Sequence, residues 1–211
     1  MLNAIVTGYS SGIGKAICDE LELNGYQIIK LTSRLEDLSS LEKEVKELLK
    51  TTNIDVLINC AGVGIFQPHE EISIIKIKEL IDVNLTAPIV LTNLCLRSLK
   101  KTQGKIINIT SVEATKHSKF SALYTATKSG LRDFGLTLFE ELRKSGVSVT
   151  SINPDLTLTN FFDDLQFEPS LKDDTHLLPQ TIANTVIQII QTNGVITDLT
   201  IRPQNFGIKK K

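Results

Sequence analysis

The chain has 211 residues, a formal net charge of −1 and ordinary shares of apolar and charged residues, which fits one soluble globular domain. So small a charge excludes a general attraction to nucleic acid or to an anionic membrane surface, and the apolar runs are strand-length, too short to span a bilayer. Cys18, Cys60 and Cys95 are odd in number and widely spaced, without a C-x-x-C pair, which speaks for three small buried thiols in a reducing cytoplasm and against a disulfide framework or a zinc site.

In chain order, Ala4-Ile5-Val6 predicts a short buried strand running into Thr7-Gly8-Tyr9-Ser10-Ser11-Gly12-Ile13-Gly14. From Gly12 onward Ile13, Lys15, Ala16, Ile17, Glu20 and Leu21 favour a helix that stops near Asn24-Gly25. Strand, glycine turn and helix start together make an anion site, because unpaired N–H groups and the helix dipole converge on the turn. Gly8, Ser10, Ser11, Gly12, Ile13 and Gly14 are therefore candidates to hold a dinucleotide pyrophosphate. Taken alone, the same glycines also fit an ordinary strand-to-helix turn.

A second strand over 27–32 ends at Ser33-Arg34. In such folds the tip of this strand faces the adenosine ribose, where an acid binds the 2′-hydroxyl and an arginine suits a 2′-phosphate. Neither Thr32 nor Ser33 is acidic, so Ser33 and Arg34 favour NADP(H) over NAD(H). Leu38, Leu41, Val45, Leu48 and Leu49 have helical spacing, with Ser39 or Ser40 near the cap. Ile54 to Ile58 is a third strand leading into Asn59-Cys60-Ala61-Gly62. The segment 72–100 is largely helical, with Pro88 marking a bend or restart.

A fourth strand covers 105–110, a helix 121–144, and a fifth strand 147–152. Asn153-Pro154-Asp155 breaks the chain, and 155–178 reads as an apolar lid carrying Phe161, Phe162, Leu165 and Phe167. A last helix covers about 179–191 and a last strand 195–201. Lys209-Lys210-Lys211 reads as a solvated tail. With no repeat, low-complexity tract or linker, the whole chain is expected to form one α/β domain. Its parallel sheet carries helices on both faces, and ligands bind beyond the carboxyl ends of the strands.

At those ends stand the residues able to carry chemistry. Ser111 lies just past the fourth strand. Tyr124 and Lys128 are four apart on a helix, so they share one face. An ammonium beside a phenol lowers the phenol pKa, which makes a usable general acid/base near neutrality. Ser111 could hold a substrate oxygen while Tyr124 gives or takes the proton. Asn84 lies mid-helix, where an amide faces a site or holds a water.

These motifs resemble the short-chain dehydrogenase/reductases in their compact single-domain form, over nearly the whole chain. Thr7-Gly8-x-x-x-Gly12-x-Gly14 is similar to that family's cofactor turn and Asn59-Cys60-Ala61-Gly62 to its Asn-Asn-Ala-Gly segment. Asn84, Ser111, Tyr124 and Lys128 match its catalytic tetrad in type, order and spacing. The resemblance implies hydride transfer between nicotinamide and a carbonyl or alcohol carbon of a small-molecule substrate, with a Rossmann-type fold and a homodimer or homotetramer. It implies Tyr124 as acid/base, Ser111 as the orienter of the substrate oxygen, Lys128 on the nicotinamide ribose and Asn84 on a relay water. Asn59, Ala61, Gly62, Pro154, Thr157 and Thr159 join the cofactor contacts.

Three departures stand out. Cys60 replaces the second Asn, and Asp155 stands where the family has Gly after Pro154. About twenty residues separate Arg34 from Ile54, with room for one helix only, since a parallel crossover takes a dozen or more residues. The family's third strand should therefore be missing or vestigial, leaving six strands in the order 2-1-4-5-6-7 in the family's numbers. Asp37, in the remnant, is then expected near the adenine. A different class of reading is a non-catalytic NADP(H)-binding regulator or scaffold, and the complete tetrad speaks against it.

Overall fold

Short apolar segments alternate with amphipathic ones, and the computed structural model, which describes residues 1–211, resolves them into strands and helices. The first half runs β1 (Leu2–Val6), α1 (Gly12–Leu23), β2 (Tyr26–Ile29), α2 (Leu38–Leu48), β3 (Val56–Asn59), α3 (Ile74–Ile81) and α4 (Ala87–Thr102). The second half runs β4 (Lys105–Ile109), α5 (Ala122–Leu142), β5 (Ser148–Pro154), β6 (Phe167–Pro169), α6 (Pro179–Gln191), β7 (Asp198–Ile201) and β8 (Ile208–Lys210). Six strands form one parallel sheet in the order β2-β1-β3-β4-β5-β7.

The period of two along each strand divides the core between the faces. Ala4, Val6, Val56, Ile58, Ile107 and Ile109 pack with Ile17 and Leu21 of α1 and Ile182 and Val186 of α6. Ile5, Leu57 and Ile106 point the other way, onto Leu41 and Val45 of α2, Leu91 and Leu99 of α4 and Leu138 of α5. This is the doubly wound, Rossmann-type architecture, and between residues 35 and 50 there is a helix and no strand. β2 is accordingly an edge.

Several boundaries differ from the sequence expectation. β2 ends at Ile29, because the N–H groups of Thr32 and Ser33 are taken by the Glu44 carboxylate of α2. The break in the long helical segment is a π-turn over Asp82–Thr86, just ahead of Pro88 at the start of α4. Pro88 has no N–H to offer the Asn84 carbonyl four residues back, and the wider turn absorbs that gap. Taken as one helix of 29 residues, 74–102 is long and apolar enough to cross a bilayer on length and composition alone, contrary to the reading from apolar runs. It lies on the sheet instead, with Leu91, Cys95 and Leu99 fully buried.

The C-terminus is exposed but is a paired strand, not a free tail. β8 pairs antiparallel with β6, so the lid contains a strand and the chain end holds it. Lys209 pairs with Glu168, and Lys211 Nζ donates to the carbonyls of Phe162 and Asp163 at 2.6 and 2.9 Å.

Candidate active site

The carboxyl ends of β1, β3, β4 and β5 open onto one cavity of about 780 Å³. Its floor is the glycine turn, and each glycine there has a steric reason. A Cβ on Gly14 would stand 2.1 Å from the Gly8 carbonyl oxygen, and one on Gly8 (φ 70°) would meet the Ala61 backbone at 3.0 Å. A Cβ on Gly12 (φ 51°) would meet Thr159 at 3.2 Å. Ser11 precedes α1 in an extended conformation and makes no capping bond, so its hydroxyl and the first N–H groups of α1 are available to an anion.

Gly8, Ser11, Gly12, Ile13 and Gly14 all line this cavity, as do Ala61 and Gly62 from the end of β3. Pro154, Thr157 and Thr159 line it from beyond β5. Cys60, in the place of an Asn, leaves the backbone undisturbed: the N–H groups of Cys60 and Ala61 both donate to Thr7 Oγ1 at 3.0 Å. Thr7 thus staples the end of β1 to that of β3, a contact invisible along the sequence. Asp155 accepts from Arg202 Nε at 2.8 Å and from the Leu156 N–H at 2.9 Å, which fixes the turn after β5.

Other expected cofactor residues lie elsewhere. Ser10 is exposed and outside the cavity wall. Asn59 is turned into the core, where its amide donates to Asn108 Oδ1 at 2.9 Å and Thr92 Oγ1 at 3.3 Å. It does not line the cavity. Asp37 is corrected from an adenine neighbour to the N-cap of α2: it accepts from the Ser40 N–H and from the hydroxyls of Ser39 and Ser40. Those donors hold its carboxyl down at about 2. The serines read as caps sit inside the first turn. Ser33 and Arg34 stand at the tip of β2, outside the cavity wall. Arg34 is 82% exposed and paired to Glu36. Between them and α2 lies the Glu44 carboxylate, which accepts from the Thr32 N–H and hydroxyl at 2.7 and 2.8 Å and from the Ser33 N–H at 2.8 Å.

The tetrad residues come from three elements, the π-turn, the turn after β4 and α5. Ser111 follows β4 in extended backbone, its Oγ accepting from the Glu113 N–H at 3.1 Å. Tyr124 and Lys128 sit on the buried face of α5. Lys128 Nζ donates to the Ile109 carbonyl at 3.1 Å and lies 5.9 Å from the Tyr124 ring centre. Asn84, fully buried in the π-turn, does not reach the cavity. Its side chain pairs with the Val63 backbone, Oδ1 accepting from the N–H and the amide donating to the carbonyl, both at 2.9 Å. This holds the segment after Gly62 in place.

The expected acidification of the phenol is corrected. Burial pushes the Tyr124 pKa up, the Ser111 hydroxyl opposes that rise and the Glu113 charge adds to it. Burial also pulls the Lys128 ammonium down to about 8. In so dry a site the loss of water outweighs the attraction between the two groups. Cys60, beside Lys128, is pushed up to about 12 by the same burial.

Around the phenol, aromatic rings close a circuit. Centroids run 5.0 Å from Tyr124 to Phe66, 5.2 Å to Phe167, 5.7 Å to Phe162, 5.2 Å to Phe161 and 5.9 Å back to Tyr124. The lid supplies three of these rings. Phe66 had no signal in the sequence, because nothing local distinguishes it from any other loop aromatic.

A family model described as "short chain dehydrogenase" matches residues 2–52 and 46–169 of the chain. An uncharacterised oxidoreductase of Staphylococcus saprophyticus is 30% identical over 229 residues, covering 95% of this chain and 96% of its own. An uncharacterised oxidoreductase of Staphylococcus aureus is 30% identical over 226 residues with the same coverage. Among solved structures, an alcohol dehydrogenase of the archaeon Thermococcus sibiricus complexed with 5-hydroxy-NADP superposes with a TM-score of 0.86 at 24% identity, covering 97% of both chains. A 4-hydroxyisoleucine dehydrogenase complexed with NADH gives 0.84 at 23% identity, covering 96% of this chain and 98% of the other.

Proposed function

The chain belongs to the short-chain dehydrogenase/reductase family, and on that premise we propose that it is an NADP(H)-dependent oxidoreductase interconverting a small carbonyl compound and its alcohol. The observation that carries this reading is the meeting of Ser111, Tyr124 and Lys128 in the same cavity as the glycine cradle. The cradle fits a pyrophosphate: side chains are excluded where Gly8 and Gly14 touch, and the Ser11 hydroxyl is uncommitted. Gly8 to Gly14 would hold the pyrophosphate and Lys128 the nicotinamide ribose, with Ala61, Gly62, Pro154, Thr157 and Thr159 along the rest of the cofactor.

When bound, a nicotinamide cofactor supplies or accepts the hydride. In reduction the carbonyl carbon gains that hydride and the carbonyl oxygen gains the Tyr124 proton, after which the phenolate is reprotonated from water. Ser111 orients the oxygen by hydrogen bond. Lys128, so close to neutrality, can pass a proton on. Asn84 would hold a relay water through its backbone, since its side chain is committed to Val63.

The ring of phenylalanines suits a substrate with an apolar body. Lys116 is already paired to Glu113 and is not free for an acidic substrate. Arg34 is the cation available to a 2′-phosphate, since it is itself largely exposed and its ion pair with Glu36 is a surface one. Glu44 favours a second reading, NAD(H), because its carboxylate occupies the N–H groups of Thr32 and Ser33 beside the expected ribose.

We read the whole chain as one domain, since α1 and α6, from opposite ends of the sequence, share one face of the sheet. Half-exposed Leu94 and Leu96 on α4 and Phe134 and Phe139 on α5 suit a homodimer or homotetramer. Three free thiols suit a cytoplasmic setting. The test is a panel of ketones and aldehydes with NADPH and NADH, compared with Tyr124→Phe. Turnover lost by at least about 100-fold, with cofactor binding retained, supports the mechanism. Turnover that survives the substitution removes it.

A further inference from the structure

Glu113 carries a carboxylate that the proposed reaction does not use. It lies in the short turn after β4, two residues past Ser111, and is only 8% exposed. A carboxylate at that depth needs partners. Its Oε1 accepts from Ser118 Oγ at 2.8 Å and lies 3.3 Å from the Lys116 ammonium. Its Oε2 accepts from Ser121 Oγ at 3.0 Å and from Thr125 Oγ1 at 3.5 Å.

Those partners span the loop before α5 and the first turn of that helix, which is the turn carrying Tyr124. Ser121 precedes the helix and gives it no side-chain cap. The Glu113 carboxylate lies beside that turn, bonded to the Ser121 and Thr125 hydroxyls, near the positive end of the helix dipole. The loop it gathers is tight: Phe120 takes φ 65°, a left-handed conformation that a bulky residue adopts only under constraint, and it forms part of the cavity wall.

We propose that Glu113 is a positioning residue for Tyr124: its carboxylate ties the loop 116–121 to the first turn of α5 and adds a negative charge to the surroundings of the phenol, so that Tyr124 keeps its proton near neutral pH and the proton loss that alcohol oxidation requires is moved to higher pH. The inference rests on Tyr124 being the acid/base group. Other ionisable groups face the same cavity: Lys128 on α5, Cys60 after β3, Asp155 after β5, Asp164 in the lid and Lys116, Lys119 and Lys210 at its rim. Asp155 is neutralised by Arg202, and Lys116 is held by Glu113 itself. Among these charges, that of Glu113 adds to the rise which burial imposes on the phenol.

The experiment is the pH dependence of reduction and oxidation with the best carbonyl/alcohol pair from the panel, for wild type, Glu113→Gln and Glu113→Asp. Glu113→Gln removes the charge and keeps the shape, and the rise of oxidation with pH should move down by about one unit. Oxidation at pH 7 then grows by up to about tenfold over wild type. Glu113→Asp keeps the charge and should return the profile toward wild type. Lys116→Met strips the counter-ion and should move the profile up, a second route should Glu113→Gln fail to fold. Unmoved profiles in Glu113→Gln or Lys116→Met, with Tyr124→Phe inactive, overturn the role of Glu113 alone. An active Tyr124→Phe overturns the reading of Tyr124 and this inference with it.

Discussion

Asn84 and Val63 face each other like two paired strand residues, each giving one hydrogen bond and taking one at 2.9 Å. The amide of a buried π-turn thereby sets the backbone that follows Gly62, where a Cβ would collide with Lys128 Nζ at 3.1 Å. Replacing Asn84 by Ala leaves the N–H and carbonyl of Val63 unpaired. We expect a loss of about 2–3 kcal/mol in denaturant unfolding and a fall in turnover, because the wall beside Lys128 loosens. A stability within about 0.5 kcal/mol of wild type would show that water replaces the side chain without cost.

Lys128 predicts a pH dependence of stability. Its folded pKa, about 8, lies below the ordinary lysine value of 10.5. Below pH 8 the lysine is charged in both states and the full cost of burying it is present. Between about 8 and 10.5 the unfolded chain binds the extra proton, so stability rises with pH. Cys60 and Cys95, whose thiols burial raises to about 12, act in the opposite sense above pH 9. The informative quantity is therefore the difference from Lys128→Met. That variant should gain over wild type by about 2–3 kcal/mol at pH 7, with the gap closing toward pH 10. A gap independent of pH would mean that Lys128 is not titrating in this range.

Arg34 and Glu44, a cation and a carboxylate near the tip of β2, make opposing demands on the cofactor. Arg34→Ala should lower the NADPH/NADH preference by roughly tenfold, the worth of one charge-assisted phosphate contact. Glu44→Gln keeps an acceptor for only one of the Thr32 and Ser33 N–H groups, which the two carboxylate oxygens take separately, while removing a negative charge, and should raise that preference. Fluorescence titration of both nucleotides reads each ratio. Unchanged ratios in both variants would place the discriminating contact away from β2.

β8 is the element that holds the lid. A two-stranded pair is marginal by itself, and here three residues of each strand are supplemented by Lys211 on the Phe162 and Asp163 carbonyls. Deleting 207–211 should release 158–178 to limited proteolysis and speed its amide exchange. The melting midpoint should move little, since neither strand belongs to the two main core clusters. A collapse of global stability would show that the pair is part of the folding core.

The sequence by itself determined the elements and their roles in outline. Alternating Ala4, Ile5 and Val6 serve two faces at once, the spacing of Leu41 and Val45 makes one helix face, and the short stretch after Arg34 leaves no room for another strand. Tyr124 and Lys128 share a face because four residues make one helical turn. These are local properties, readable along the chain. Tertiary structure decided what each polar group meets. Glu113 finds Ser121 and Glu44 finds Thr32 only after the chain turns back, and β6 meets β8 across some forty residues. Asp37 became a cap and Asn59 a core amide for the same reason. The ionisation of Tyr124 and Lys128 was likewise decided in three dimensions, because the loss of surrounding water is a property of packing and not of neighbouring residues in the chain.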